Sequence, residues 1–152
     1  MVSSKAVKAS VKPKTERMVF FTDIANQYLE EQLQMLFLSV KKHEVQQLIG
    51  SAGSFETYAE MIEVEQGKPF DIKKTTTYNF QISDFNKVAN WLQHSNHEER
   101  LHKKGIIPLR VDMIVVASLI TVFIMQKLEI PKLAMTTYSL KEGVLAEMME
   151  SF

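Results

Sequence analysis

Between Met113 and Met125 the chain is apolar except at Ser118 and Thr121, and no polar face appears at helical spacing from Arg110 to about Leu128. A helix of this kind has to be buried on most of its sides. The run is shorter than the roughly 20 residues needed to cross a bilayer, so it predicts a central helix with the rest of one domain laid around it. A length of 152 residues with 45% hydrophobic content allows that, since it supplies one core of ordinary size. The first residues lack the continuous apolar stretch of a secretory signal, and neither export nor a membrane span is expected.

Eighteen basic residues balance eighteen acidic ones, so the global field draws neither nucleic acid nor an anionic membrane surface. Lys5, Lys8, Lys12 and Lys14 are not interleaved with aromatics or arginines, which reads as a solvated edge or tail. Cysteine is absent. That removes disulfides, thiolate metal sites and thiol catalysis, and it makes the cytoplasm the expected compartment.

Residues 1–14 are either an exposed strand or a disordered leader, and residues 15–152 form the domain. Ile24, Tyr28, Leu33, Leu36, Phe37 and Val40 recur at helical spacing. They predict one long amphipathic helix, with Thr22 or Asp23 as N-cap and Lys41 and Lys42 at its C-terminal dipole. Val45 to Ile49 follows as a short strand, Gly50-Ser51-Ala52-Gly53-Ser54 as a small-residue loop, and Phe55 to Val64 as a helix. After a polar loop, Thr75 to Ile82 is a short strand or an extended connection, and Ser83 or Asp84 caps a helix carrying Phe85, Val88, Ala89 and Leu92. Ser95 with Glu98, and Ser139 with Glu142, have capping-box spacing. Lys132 to Thr136 is a strand candidate after Pro131. Strands alternating with helices favour an α/β layer architecture with a partly parallel sheet.

The loop from Gly50 to Ser54 is the most suggestive local feature. Two glycines let a backbone approach a ligand closely, and the following helix N-terminus presents free N–H groups to an anion such as phosphate. The competing reading is a tight turn with Ser54 as N-cap. Neither G-x-x-x-x-G-K-[ST] nor G-x-G-x-x-G occurs. His94, His97 and His102 have a loose metal-like spacing, but a helix opening between His94 and His97 breaks their common face, which leaves them as surface histidines. Arg110 and Asp112 flank the start of the apolar helix, either as an ion pair anchoring it or with Arg110 facing a cleft. No nucleophile set, paired carboxylates or metal-binding helix stands out.

Three segments taken together, Leu48 to Glu60 (LIGSAGSFETYAE), Glu99 to Ser118 (ERLHKKGIIPLRVDMIVVAS) and Thr137 to Leu145 (TYSLKEGVL), resemble the exopolyphosphatase and guanosine pentaphosphate phosphohydrolase (Ppx/GppA) family. They match its patterns G-[ST]-[AG]-x-[ST], E-R-x(4)-G-[IL]-x(3)-R-x-D-x-I and S-x-[KR]-E-G-[VL]-L in the family's order. The resemblance spans about Ile24 to Leu145. It implies an α/β fold, the second ribonuclease-H-like domain of an actin-like ATPase architecture, incomplete and with several added helices.

The implied activity is hydrolysis of a phosphoanhydride bond in polyphosphate or a phosphorylated guanosine nucleotide, with Mg²⁺. The family's first domain carries one phosphate loop and the catalytic glutamate, and its second begins with a strand ending in D-x-G-G-G-S. This chain has no Gly-Gly pair. The expectation is therefore a C-terminal fragment, inactive without its first domain and without catalytic or metal-binding residues of its own. Gly50, Ser51, Gly53 and Ser54 are implied as a phosphate- or nucleotide-side loop, and Arg110 as a cleft residue. The alternative is a non-catalytic binding or self-association module of the same fold, and a homodimer suits either.

Overall fold

A three-stranded mixed sheet, strand order β1-β3-β2, carries the helices that form the core. The computed structural model describes residues 14–51 and 53–150. In chain order these residues form α1 (Lys14–Gln32), α2 (Gln34–His43), β1 (Gln47–Ser51), α3 (Ser54–Glu65), β2 (Thr77–Phe80), α4 (Ile82–His94), α5 (His97–Leu101), a 3₁₀ turn (Pro108–Arg110), α6 (Met113–Lys127), β3 (Lys132–Thr136) and α7 (Leu140–Glu150). β1 runs parallel to β3, with Leu48 beside Leu133 and Gly50 beside Met135. β2 runs antiparallel to β3, with Tyr78 beside Met135 and Phe80 beside Leu133. Side chains alternate across a strand, so Leu48, Leu133, Met135, Tyr78 and Phe80 share one face.

That face meets Tyr58, Met61 and Ile62 of α3, Phe85, Val88 and Leu92 of α4, and Ile114 and Met125 of α6 in one core. Full burial of each such side chain contributes about 1.5–3 kcal/mol. The apolar helix is α6, and it buries Ile114, Ser118, Leu119, Thr121, Phe123 and Met125. The hydroxyls of Ser118 and Thr121 donate to the carbonyls of Val115 and Ala117, so burial leaves neither unpaired. Met113, Val116 and Ile120 are exposed, so burial is less complete than the sequence predicts.

Several boundaries differ from expectation. Thr22 and Asp23 lie inside α1 rather than at its cap, because helical backbone already begins at Lys14. The remainder of the leader lies outside the described residues. The long helix is divided at Leu33, although Leu33 and Phe37 still donate to the carbonyls of Leu29 and Leu33 and carry the ladder across. Helix α4 starts at Ile82, before Ser83 and Asp84, with Gln81 as N-cap.

The capping box of α5 is Asn96 with Glu99, not Ser95 with Glu98. The Glu99 N–H donates to Asn96 Oδ1 at 2.9 Å, and the Asn96 N–H donates to Glu99. Asn caps as well as Ser does, and the Ser95 hydroxyl is already committed to the Leu92 carbonyl that closes α4. At α7 the Ser139 N–H and hydroxyl both donate to the Glu142 carboxylate, at 2.7 and 2.6 Å. Only the carboxylate half of the expected box is therefore made.

Candidate functional site

At the C-terminal ends of the parallel strands β1 and β3 the chain turns into two helices. This is the end of a parallel sheet at which open α/β folds bind ligands. The Ser51 hydroxyl donates to the Tyr138 carbonyl at 2.7 Å and holds the loop after β1 against the segment that leads into α7. Gly53, not Ser54, is the N-cap of α3, and Ser54 is its first helical residue. The reason is conformational. Gly53 has φ 57° and ψ −112°, a region that residues with a Cβ avoid.

The two glycines have different jobs. A Cβ on Gly50 would sit 2.1–2.2 Å from three ring atoms of Phe55, whereas a Cβ on Gly53 would meet nothing within 4 Å. The close approach at Gly50 is thus taken up by the protein's own phenyl ring. Gly53 faces open space, the position a ligand-facing backbone needs.

Arg110 reaches this loop from the 3₁₀ turn. Its guanidinium donates to the Gly53 carbonyl at 2.8 Å and the Thr57 hydroxyl at 2.9 Å, and it pairs with Glu56 at 3.3 Å. The arginine therefore holds the loop in place, and its charge is matched by Glu56. The groups at the start of α3 that can favour an anion are its backbone N–H groups and dipole, not the arginine. Inside the same turn, the enclosed Tyr58 hydroxyl makes no hydrogen bond of ordinary geometry. Burial raises its ionisation well above the ordinary phenol range, and the Thr121 and Ser54 hydroxyls offset only part of that.

Helix α7 offers no comparable opening. The Glu142 carboxylate occupies the Ser139 N–H, and the Ser139 hydroxyl is the main cause that lowers Glu142 to about 2. The expected link between Arg110 and Asp112 is absent. Asp112 instead accepts from His97 at 2.9 Å and lies 3.7 Å from Arg100, and the bond from His97 holds its carboxyl below the usual range. His94 and His102 bond to the carbonyls of Asn90 and Glu98.

Among the described residues no three His, Cys, Asp or Glu gather around a point that could hold a metal ion. No described helix is long and apolar enough to cross a membrane. Sequence reasoning missed Phe55, Glu56, Thr57 and Tyr138 as partners of the loop. Glu56 and Thr57 carried a signal, since an acid and a hydroxyl in the first turn of α3 are natural partners for an arginine.

The Ppx/GppA phosphatase family model matches residues 8–152. The fold superposes on an exopolyphosphatase from Cytophaga hutchinsonii with a TM-score of 0.80 and 34% identity, covering 86% of this chain and 42% of that one. It also superposes on the Aquifex aeolicus Ppx/GppA phosphatase type II variant, with a TM-score of 0.63, 18% identity and coverage of 87% and 41%. The chain thus spans about two fifths of the length of these relatives. No curated protein matches it. The fold is the α/β, ribonuclease-H-like type of the actin-like ATPases. With nearly the whole sequence matched by the family model, the chain belongs to the Ppx/GppA phosphatase family.

Proposed function

We propose that this chain is the second-domain part of a phosphohydrolase that cleaves phosphoanhydride bonds of polyphosphate or guanosine pentaphosphate, and that it is inactive alone. Its part is to supply one wall of the cleft, with Ser51, Gly53 and Ser54 facing the phosphate chain, Gly50 packed beneath them on the Phe55 ring, and Arg110 holding that wall from behind. One observation carries the reading: the open, positive-φ backbone at Gly53 opens α3 at the C-terminal ends of β1 and β3, in a chain similar to an exopolyphosphatase. The first domain and Mg²⁺ would come from the rest of a longer protein.

Amide resonances of the purified chain, titrated with inorganic tripolyphosphate, test the wall. Shifts centred on Ser51, Gly53 and Ser54 are expected, and shifts elsewhere with none in this loop refute the assignment. Incubation with long-chain polyphosphate and Mg²⁺ is expected to release no phosphate. Turnover near the enzyme range of roughly 1 per second or more would refute inactivity.

A further inference from the structure

Ser54 and Tyr58 stand four residues apart in α3, so they lie on one face of the helix. A helical side chain leans back toward the N-terminus, which carries the Tyr58 ring over the first turn and its hydroxyl toward Ser54. Thr121 approaches the same phenol from α6. Burial is the main influence on the ionisation of Tyr58, and the Thr121 and Ser54 hydroxyls are the polar side chains near enough to oppose it. Tyr58 is 0% exposed, yet its hydroxyl makes no hydrogen bond of ordinary geometry. The ring is not free to turn away and find one, since Phe55 and Phe85 pack edge-on against it with centroids 5.6 and 5.4 Å distant.

A buried phenol without a partner is costly. Burial also keeps its proton bound well above the ordinary phenol range, so the group is a donor that lacks an acceptor. The Thr121 hydroxyl commits its own proton to the Ala117 carbonyl, and toward Tyr58 it can only accept. Ser54 has more freedom. It is half-buried in the first turn of α3 and follows Gly53, where the backbone faces open space. With the Ser54 proton turned inward, Tyr58 can donate only to Thr121. With that proton turned outward to an anionic oxygen, the Ser54 lone pairs face Tyr58, and each hydroxyl in the row strengthens the bond made by the next.

We propose that Tyr58 is a positioning residue for the phosphate loop: its buried hydroxyl donates to Ser54 Oγ when a phosphate oxygen accepts from the Ser54 hydroxyl. It rests on the phosphate-facing role of the loop proposed above. The bound state satisfies a polar group that the free state leaves unpaired, and a difference of that kind favours binding.

Calorimetric titration of the chain with inorganic tripolyphosphate, alongside the loop amide shifts, measures the effect. Tyr58→Phe keeps the ring and removes only the unpaired hydroxyl, so its Tm is expected to be no lower than the parent's. Its affinity is expected to fall about fivefold, the usual net contribution of one hydrogen bond. Ser54→Ala is expected to weaken binding at least as much. Adding Tyr58→Phe to Ser54→Ala is expected to change nothing further, because the phenol acts only through Ser54. With the tyrosine Cζ carbons isotopically labelled for NMR, the Tyr58 resonance is expected to move on addition of tripolyphosphate in the parent and to stay fixed in Ser54→Ala.

Parental affinity in Tyr58→Phe, equal losses from that substitution in the two backgrounds, or a Tyr58 resonance indifferent to the ligand overturns the proposal and leaves the phosphate-facing loop standing. A marked loss of Tm in Tyr58→Phe overturns it as well, by showing the phenol already paired in the free chain. A parent whose loop amides ignore tripolyphosphate overturns the role of the loop and this proposal with it.

Discussion

Replacing Gly50 with alanine tests whether that glycine serves the phenyl ring or a ligand. The new methyl group would lie 2.1–2.2 Å from Phe55 Cγ, Cδ1 and Cδ2, well inside van der Waals contact, so the ring or the strand has to move. The ring is not free to swing, because it packs edge-on against the fully buried Tyr58 with centroids 5.6 Å apart. Overpacking of this sort costs about 1–3 kcal/mol. Alanine in place of a strand glycine returns about 0.5–1 kcal/mol of backbone entropy, which leaves a net loss of up to about 2.5 kcal/mol.

Phe55→Ala removes a half-buried ring and is expected to cost about 1–2 kcal/mol, below the roughly 3–5 kcal/mol of a fully buried one. In the double variant the clash has nothing to meet, so the two losses should fall short of additivity by about 1–3 kcal/mol. Urea denaturation of the four proteins, with slopes shown to be equal, measures this. Additive losses would refute the packing explanation.

Arg100 is nearly buried and donates to the carbonyls of Val111 and Ser95, at 2.7 Å each. Arg100→Met should cost about 3 kcal/mol by leaving both unpaired, and Arg100→Lys should recover less than half, because a point charge cannot replace the fork. Chemical denaturation decides it. Glu142 titrates at about 2 in the folded chain against an ordinary 4.5, so its contribution is complete above about pH 4.5 and is lost as pH falls toward 2. The Tm gap between the parent and Glu142→Gln is expected to be level from pH 7 to 5 and to close below that. A gap unchanged at pH 2 refutes the assignment. Glu44 ends α2 with φ 47°, where glycine is favoured. Glu44→Gly should raise stability by about 1 kcal/mol, read from the denaturation midpoint.

The elements with strong internal patterns were legible before any coordinates. The apolar run became α6, the short strand before the glycines and the strand candidate after Pro131 became β1 and β3, and the ordered motif triple identified the family. Capping was read one or two positions wrong in several places, because Ser and Asn compete for the same role and only the closing bond of the preceding helix decides between them. That was the case for Ser95 and Asn96. On α1 and α2 the exposed Ile24 and Tyr28 were merged with inner residues such as Phe37 into a single amphipathic face, since the inner and outer residues interleave at helical spacing. At the loop, sequence placed the glycines but not their separate reasons, which depend on where Phe55 lands. Arg110 was identified as important, yet its partners Gly53, Glu56 and Thr57 lie more than fifty positions upstream.

The middle strand, β3, is also the last to be synthesised. β1 and β2 each pair only with it among the described residues, and the Ser51–Tyr138 bond joins positions 87 apart. During translation the ladder therefore cannot close until residues 132–136 have emerged, whereas α3, α4 and α6 can dock on one another earlier. Long-range pairing of this kind is slow and leaves unpaired strand edges exposed in the interval. A polypeptide that terminates between Lys127 and Lys132 would thus retain its helical nucleus while presenting two orphan strands, the form in which chaperones and proteases would meet it.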